Sequence, residues 1–176
     1  MTLPILGQIV GLIALGLCIA AFASKRDDRL LLILILANMA FAGQFFLLGG
    51  WVAGAISCLI VLRILLVRRY KRNRAVMATM LAATGLVAAL TWQGPADVVP
   101  LLAGLIGTWA MFMLDGIPMR ALLAVAAACW MLANYLTGSL GALAAEGLIL
   151  MTNAITIYRL HREKSAAPAW QGVAKR

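Results

Sequence analysis

Acidic side chains are scarce in this chain: six Asp and Glu stand against 15 Lys and Arg, and all charged residues together make up 12% of 176. Soluble domains carry about twice that charged fraction. With 64% apolar residues and a mean hydropathy of +0.99, too little polar surface remains to face water, so the composition is that of an integral membrane protein. The net charge of +9 would suggest nucleic acid if the basic residues formed one patch. They fall instead in short clusters between apolar runs, where membrane topology and attraction to anionic lipid account for them. The partner they imply is the lipid bilayer, not nucleic acid.

Cysteine and histidine are equally sparse. Cys18, Cys58 and Cys129 lie in separate apolar runs and His161 follows the last one, which excludes a disulfide framework and a zinc site and leaves three small apolar side chains. There is no phosphate loop, HExxH pair, GxSxG elbow or Cys–His cluster, so no metal, no cofactor and no enzymatic activity is expected. Ala21-Phe22-Ala23 resembles a signal-peptidase site, but no basic segment precedes the apolar run and Leu17 before Cys18 does not suit a lipoprotein. The segment is read as a retained first helix.

Long apolar runs are what the sequence has in abundance. A helix rises about 1.5 Å per residue, so a core of about 30 Å takes roughly 17–25 residues. Seven segments qualify, at about 4–23, 29–48, 51–68, 75–92, 97–114, 119–136 and 139–158. The runs are continuous and not alternating, which excludes a β-barrel. The fold class is therefore all-α, a polytopic membrane protein with seven transmembrane helices in one domain over residues 1–164. Residues 165–176 form a flexible cytoplasmic tail.

The connections sort by charge. Lys25, Arg26 and Arg29 follow the first span, Arg68, Arg69, Lys71, Arg72 and Arg74 the third, Arg120 the fifth, and Arg159, Arg162, Lys164, Lys175 and Arg176 the seventh. Gly49-Gly50, Trp92–Asp97 and Thr137–Ser139 carry no basic residue. The positive-inside rule then puts the N-terminus outside and the C-terminus in the cytoplasm. Trp51 and Trp92 at outer ends, with Tyr70 and Tyr158 at inner ends, suit interfacial anchoring.

Spans one to three resemble spans five to seven. Pro4-Ile5-Leu6-Gly7 with Gly11 aligns with Pro100-Leu101-Leu102-Ala103 with Gly107, Arg29-Leu30-Leu31 with Arg120-Ala121-Leu122, and Gly49-Gly50 with Gly138-Ser139. The pattern predicts two parallel three-helix repeats, about 4–68 and 97–158, joined by a linker helix at about 75–92. Such a layout places a site near the membrane midplane between the halves.

Phe45-Phe46-Leu47-Leu48-Gly49, Thr108-Trp109-Ala110, Met119-Arg120, Cys129-Trp130, Gly138-Ser139-Leu140-Gly141, Glu146-Gly147 and Asn153 carry a resemblance over about residues 4–164. On these residues the chain resembles the bacterial inner-membrane YgjV family, which implies a location and no reaction. The 3 + 1 + 3 layout is also similar to SWEET sugar transporters and PQ-loop proteins. This chain has no Pro-Gln dipeptide, and Pro4, Pro100 and Pro118 stand at span ends, where SWEET-like helices carry interior hinge prolines. The SWEET-like pattern of an asparagine on the third helix of a triple with tryptophan nearby fits Asn153 and Trp130. The counterpart of Asn153 in the first triple is about Arg63, so a site would not be symmetric.

Polar groups inside spans are costly, about 2.5–3.5 kcal/mol for a charge at a helix centre, which makes them informative. Glu146 lies roughly 10 Å below the outer end of the last span, and at 100° per residue it shares a face with Asn153. These two, with Trp130 and Asn38, are the predicted lining of a solute pathway; the alternative for Glu146 is hydrogen-bonded packing between helices. Arg63 lies near the inner end of its span and is expected to snorkel to the headgroups. If it faces inward, it forms an inner polar layer with Asn153, too deep for a direct pair with Glu146. Asn38, Gln44 and Asn134 are also candidates to hydrogen-bond across helices, more often as structure than as ligand contacts. Trp109 is read as packing, or as a flat wall for a ligand. Gly7/Gly11 and Gly50/Gly54 leave open whether close approach occurs within the chain or in a homo-oligomer. The leading reading is a carrier or facilitator of a small polar solute such as a sugar, polyol or small organic cation. The alternative is a non-transport membrane protein that packs with itself or with a partner membrane protein.

Overall fold

The computed structural model describes residues 2–23 and 27–171. Lys25, Arg26, Lys175 and Arg176 lie outside the described residues. Among those described there are seven α-helices and no strand: α1 (Leu3–Ala23), α2 (Asp27–Leu47), α3 (Trp51–Arg69), α4 (Arg74–Thr91), α5 (Val98–Met113), α6 (Gly116–Leu136) and α7 (Leu140–Gln171). Among the described residues six are long and apolar enough to cross a membrane, and Ile35–Leu47 of α2 is a shorter apolar stretch. α7 continues as helix to Gln171, so the segment expected as a tail begins as an extension of the last span; residues 172–176 lie outside the described ones.

Local chemistry sets the boundaries. Pro4, Pro100 and Pro118 each fall in the first turn of a helix, where a missing N–H leaves no intrahelical bond unmade. Asn73 caps α4 by accepting from the Val76 N–H at 3.1 Å. α2 and α6 end in the same way. Gly49 and Gly138 take φ of +81° and +68°, a region glycine enters without penalty. The Gly50 N–H then donates to Phe45 O and the Ser139 N–H to Asn134 O, both at 2.8 Å.

The helices close into a ring. α1 packs on α2, α2 on α3, α3 on α5, α5 on α6, α6 on α7, and α7 returns to α1. α4 stands outside the ring against α3 and α5. Alanine makes this possible: Ala53, Ala88, Ala103, Ala133 and Ala142 belong to the buried core with Phe45, Val52, Ile56 and Trp130, because small side chains let helices approach closely where lipid supplies no hydrophobic drive. Large apolar side chains point the other way, as Leu90 does at 76% exposure, the arrangement of a protein solvated by hydrocarbon.

The glycine pairs are occupied within the chain. Gly7 faces Leu47 and Leu48, Gly11 meets Gln44 and the Gly141 backbone, Gly50 faces Thr137, and Gly54 packs under the Phe46 ring. The Gln8 amide clamps the α1–α7 seam: Nε2 donates to Gly138 O, and Oε1 accepts from the Leu140 N–H. At the opposite, basic end, Lys71 Nζ donates to Met111 O and Leu114 O at 2.7 and 2.8 Å. Lys71 and Arg72 also pair with Asp115 at 3.1 and 2.9 Å. Hydrogen bonds from Lys71, then Arg72, hold the Asp115 carboxyl below its ordinary 3.8.

Candidate functional site

Inside the ring lies a cavity of about 460 Å³, lined by residues of α2, α3, α5, α6 and α7. Glu146, Asn153, Trp130, Asn38 and Arg63 all contribute to its wall. Each helix presents a stripe at helical spacing. On α7 the wall residues include Glu146, Ile149, Asn153 and Thr156, and on α6 they include Arg120, Leu123, Ala127 and Trp130. The shared face of Glu146 and Asn153 follows from their seven-residue spacing alone. That this face turns to the ring interior is a tertiary result.

Towards the turn end the space narrows to about 30 Å³, lined by Asn38, Phe41, Phe45, Ser57, Trp130, Asn134, Ala142 and Glu146. That is room for about one water. Trp130 is 8% exposed and its ring lies 5.9 Å from that of Phe45, so two aromatics from α2 and α6 close the narrow part. Glu146 sits where the narrow and wide parts join and is half-buried. Among the described residues its carboxylate has no hydrogen bond or ion pair. Asn153 is half-buried, one helical stripe further towards the basic end.

Arg63 corrects the expectation of snorkelling. Its side chain is 7% exposed and turns across to α5, where Nη1 donates to Gly104 O at 3.3 Å and to Thr108 Oγ1 at 3.4 Å. Gly107 leaves a shelf on α5 that a side chain would fill, since a Cβ there would stand 2.8 Å from Nη1. The guanidinium therefore has a local seat and does not stretch to the headgroups. No ion pair joins it to Glu146 among the described residues, in line with their difference in depth.

Gln44 and Asn134 also differ from expectation. Both are fully buried at the turn end, yet neither amide atom of Gln44 nor Asn134 Oδ1 finds a hydrogen-bond partner. The Gln44 amide lies over Gly11, where closeness to the α1 backbone takes the place of a bond across helices. Trp109 is 45% exposed on the outer face, beside Leu81, Leu105, Ile106 and Leu122, and takes no part in the cavity.

Arg120 lines the wide part of the cavity, whereas its place among the basic clusters suggests topology alone. The signal was present as its spacing of three, seven and ten residues to Leu123, Ala127 and Trp130, the helical stripe of a common face. Ser57, which lines the narrow part, carries no such signal, since a serine bonded to its own helix, here to Ala53 O at 2.8 Å, is common in spans.

The sequence matches the Imp-YgjV family, described as a bacterial inner membrane protein, over residues 5–164. It is 32% identical over 162 residues to Inner membrane protein YgjV of Escherichia coli (strain K12), which covers 92% of this chain and 88% of that protein. No solved structure matches the chain. Seven helices, of which six are apolar enough to span, agree with that location, and the chain belongs to the YgjV family of bacterial inner membrane proteins.

Proposed function

We propose that the chain is a carrier or facilitator of a small polar solute, with the ring cavity as its pathway. The observation that supports this most is the cavity of about 460 Å³ on whose wall Glu146, Asn153, Trp130, Asn38 and Arg63 meet. Sites for small molecules span about 300–1,000 Å³ and combine an apolar wall with a few placed polar groups. A bundle built only to pack would close such a space, because helix interiors are dense.

The repeat belongs to this reading. The matching bonds of the Gly49 and Gly138 turns favour two triples, α1–α3 and α5–α7, with α4 as the linker that keeps them parallel. Aligning the turns matches Ser57 with Glu146 and Arg63 with Thr152, so the two halves offer different chemistry to one pathway. With the basic end in the cytoplasm, the N-terminus lies outside, the wide part of the cavity faces inward, and the Phe45–Trp130 layer closes it to the outside.

Thiol labelling tests the pathway. In a background with Cys18, Cys58 and Cys129 replaced, Ile149→Cys on the cavity wall should react with a water-soluble maleimide in inside-out vesicles. Leu148→Cys, 37% exposed on another face of α7, should not. An unreactive Ile149→Cys, together with no flux of any solute in proteoliposomes, would leave the chain a non-transport membrane protein.

A further inference from the structure

Arg63 has more donors than the protein uses. It is only 7% exposed, and among the described residues no carboxylate pairs with it, since both ion pairs end on Asp115. Only Nη1 has protein partners, and its bonds of 3.3 and 3.4 Å are long beside the roughly 2.7–2.9 Å of charge-assisted pairs. Thr108 gives its own proton to Gly104 O at 2.7 Å, so its oxygen is free to accept from Arg63. Nε is buried with no partner, and no acceptor among the described residues reaches Nη2. The Gly107 shelf holds Nη1 against α5 and leaves Nη2 unused.

Nη2 keeps two N–H donors of the guanidinium's planar fork, a donor set that suits a carboxylate. A guanidinium stays ionised under all physiological conditions, and one this deep needs an anion to offset the loss of water. The cavity wall brings a second guanidinium, Arg120, against the single carboxylate of Glu146, so its field favours negative solutes. Trp130, Ile60 and Ile149 line the same space and give the rest of a small molecule an apolar surface.

We propose that the cavity selects solutes bearing a carboxylate, seated on Nη2 of Arg63, with Arg120 drawing the anion in; this rests on the transport reading above. The test is uptake by proteoliposomes holding the full chain, with radiolabelled lactate and glycine as carboxylate probes. Lactamide, glycerol and choline serve as neutral and cationic probes. A carboxylate probe should enter and the other three should not. Arg63→Gln should lower that uptake at least about thirtyfold, the usual loss when one side of a buried charged pair is removed. Arg63→Lys keeps the charge without the fork and should lower it about tenfold. If Arg63→Gln does not fold, Arg63→Lys carries the test, with thermal unfolding as the check on its fold. Uptake of glycerol, lactamide or choline in place of the carboxylates, or carboxylate uptake unchanged in Arg63→Lys, would overturn the inference and leave the pathway reading standing. Failure of every probe to enter with the natural sequence would overturn both.

Discussion

Closing the ring depends on how near α1 comes to α7, and one methyl group tests it. A Cβ added at Gly141 would lie 3.0 Å from Gly11 Cα and closer still to the Gly11 carbonyl carbon and oxygen. Carbon atoms in unstrained contact stand about 3.5–4.0 Å apart, so the nearer carbonyl contact requires the two backbones to part by about 1 Å. A gap of that size forfeits about a quarter to a half of each dispersion contact along the seam, and the Gln8 clamp spans the same seam. Overpacking costs about 1–3 kcal/mol; because the obstructing atoms are backbone and no rotamer can yield, Gly141→Ala should lie at the upper end, about 3 kcal/mol. Gly147, one and a half turns along α7, has nothing within 4 Å of an added Cβ. There the same substitution should gain helix propensity, about 0.5–1 kcal/mol. Reversible unfolding in mixed micelles by titration with sodium dodecyl sulfate measures both. Opposite signs are expected. A Gly141→Ala variant as stable as the natural sequence would refute the α1–α7 contact and with it the closed ring.

Two further substitutions probe the ends of the ring. Gln8→Ala removes both bonds between α1 and the α6–α7 turn and should cost about 1–2 kcal/mol in the same unfolding titration; no change would mean that the clamp adds nothing to closure. Asp115 has a folded-state pKa below 3.8, so its contribution to stability is present above about pH 4 and fades as pH falls through the lowered value. Asp115→Asn should therefore be less stable than the natural chain at pH 7, and its stability should fall less steeply below pH 4. Parallel pH–stability curves would show that the Lys71 and Arg72 pairs contribute nothing.

Hydropathy and charge made the seven helices legible because each is decided locally. A run of about 20 apolar residues must satisfy its own backbone in lipid, whatever its neighbours do. Pro4, Pro100, Pro118, Gly49 and Gly138 marked the ends for the same reason, since φ restriction acts on one residue at a time. The common face of Glu146 and Asn153 is likewise local, a matter of 100° per residue. Arg63 shows where such reasoning stops. Its depth in α3 was readable, but whether it reaches headgroups or α5 depends on which helix stands opposite and whether that helix offers a shelf, here at Gly107. Gln44 shows the same limit, since its amide meets a glycine backbone from α1 where a polar partner was expected.

The sequence by itself determined the membrane class, the helices, their turns and the presence of a lone carboxylate about two turns into the last span. Only the tertiary structure decided that six helices close into a ring with α4 outside, and that Glu146, Asn153, Trp130, Asn38 and Arg63 share one cavity with Arg120. The reason is physical: helix formation in lipid is set by hydrogen bonds four residues apart, whereas a cavity is the space left when helices distant in sequence meet, and that depends on small residues such as Gly11 and Gly141 fitting against each other.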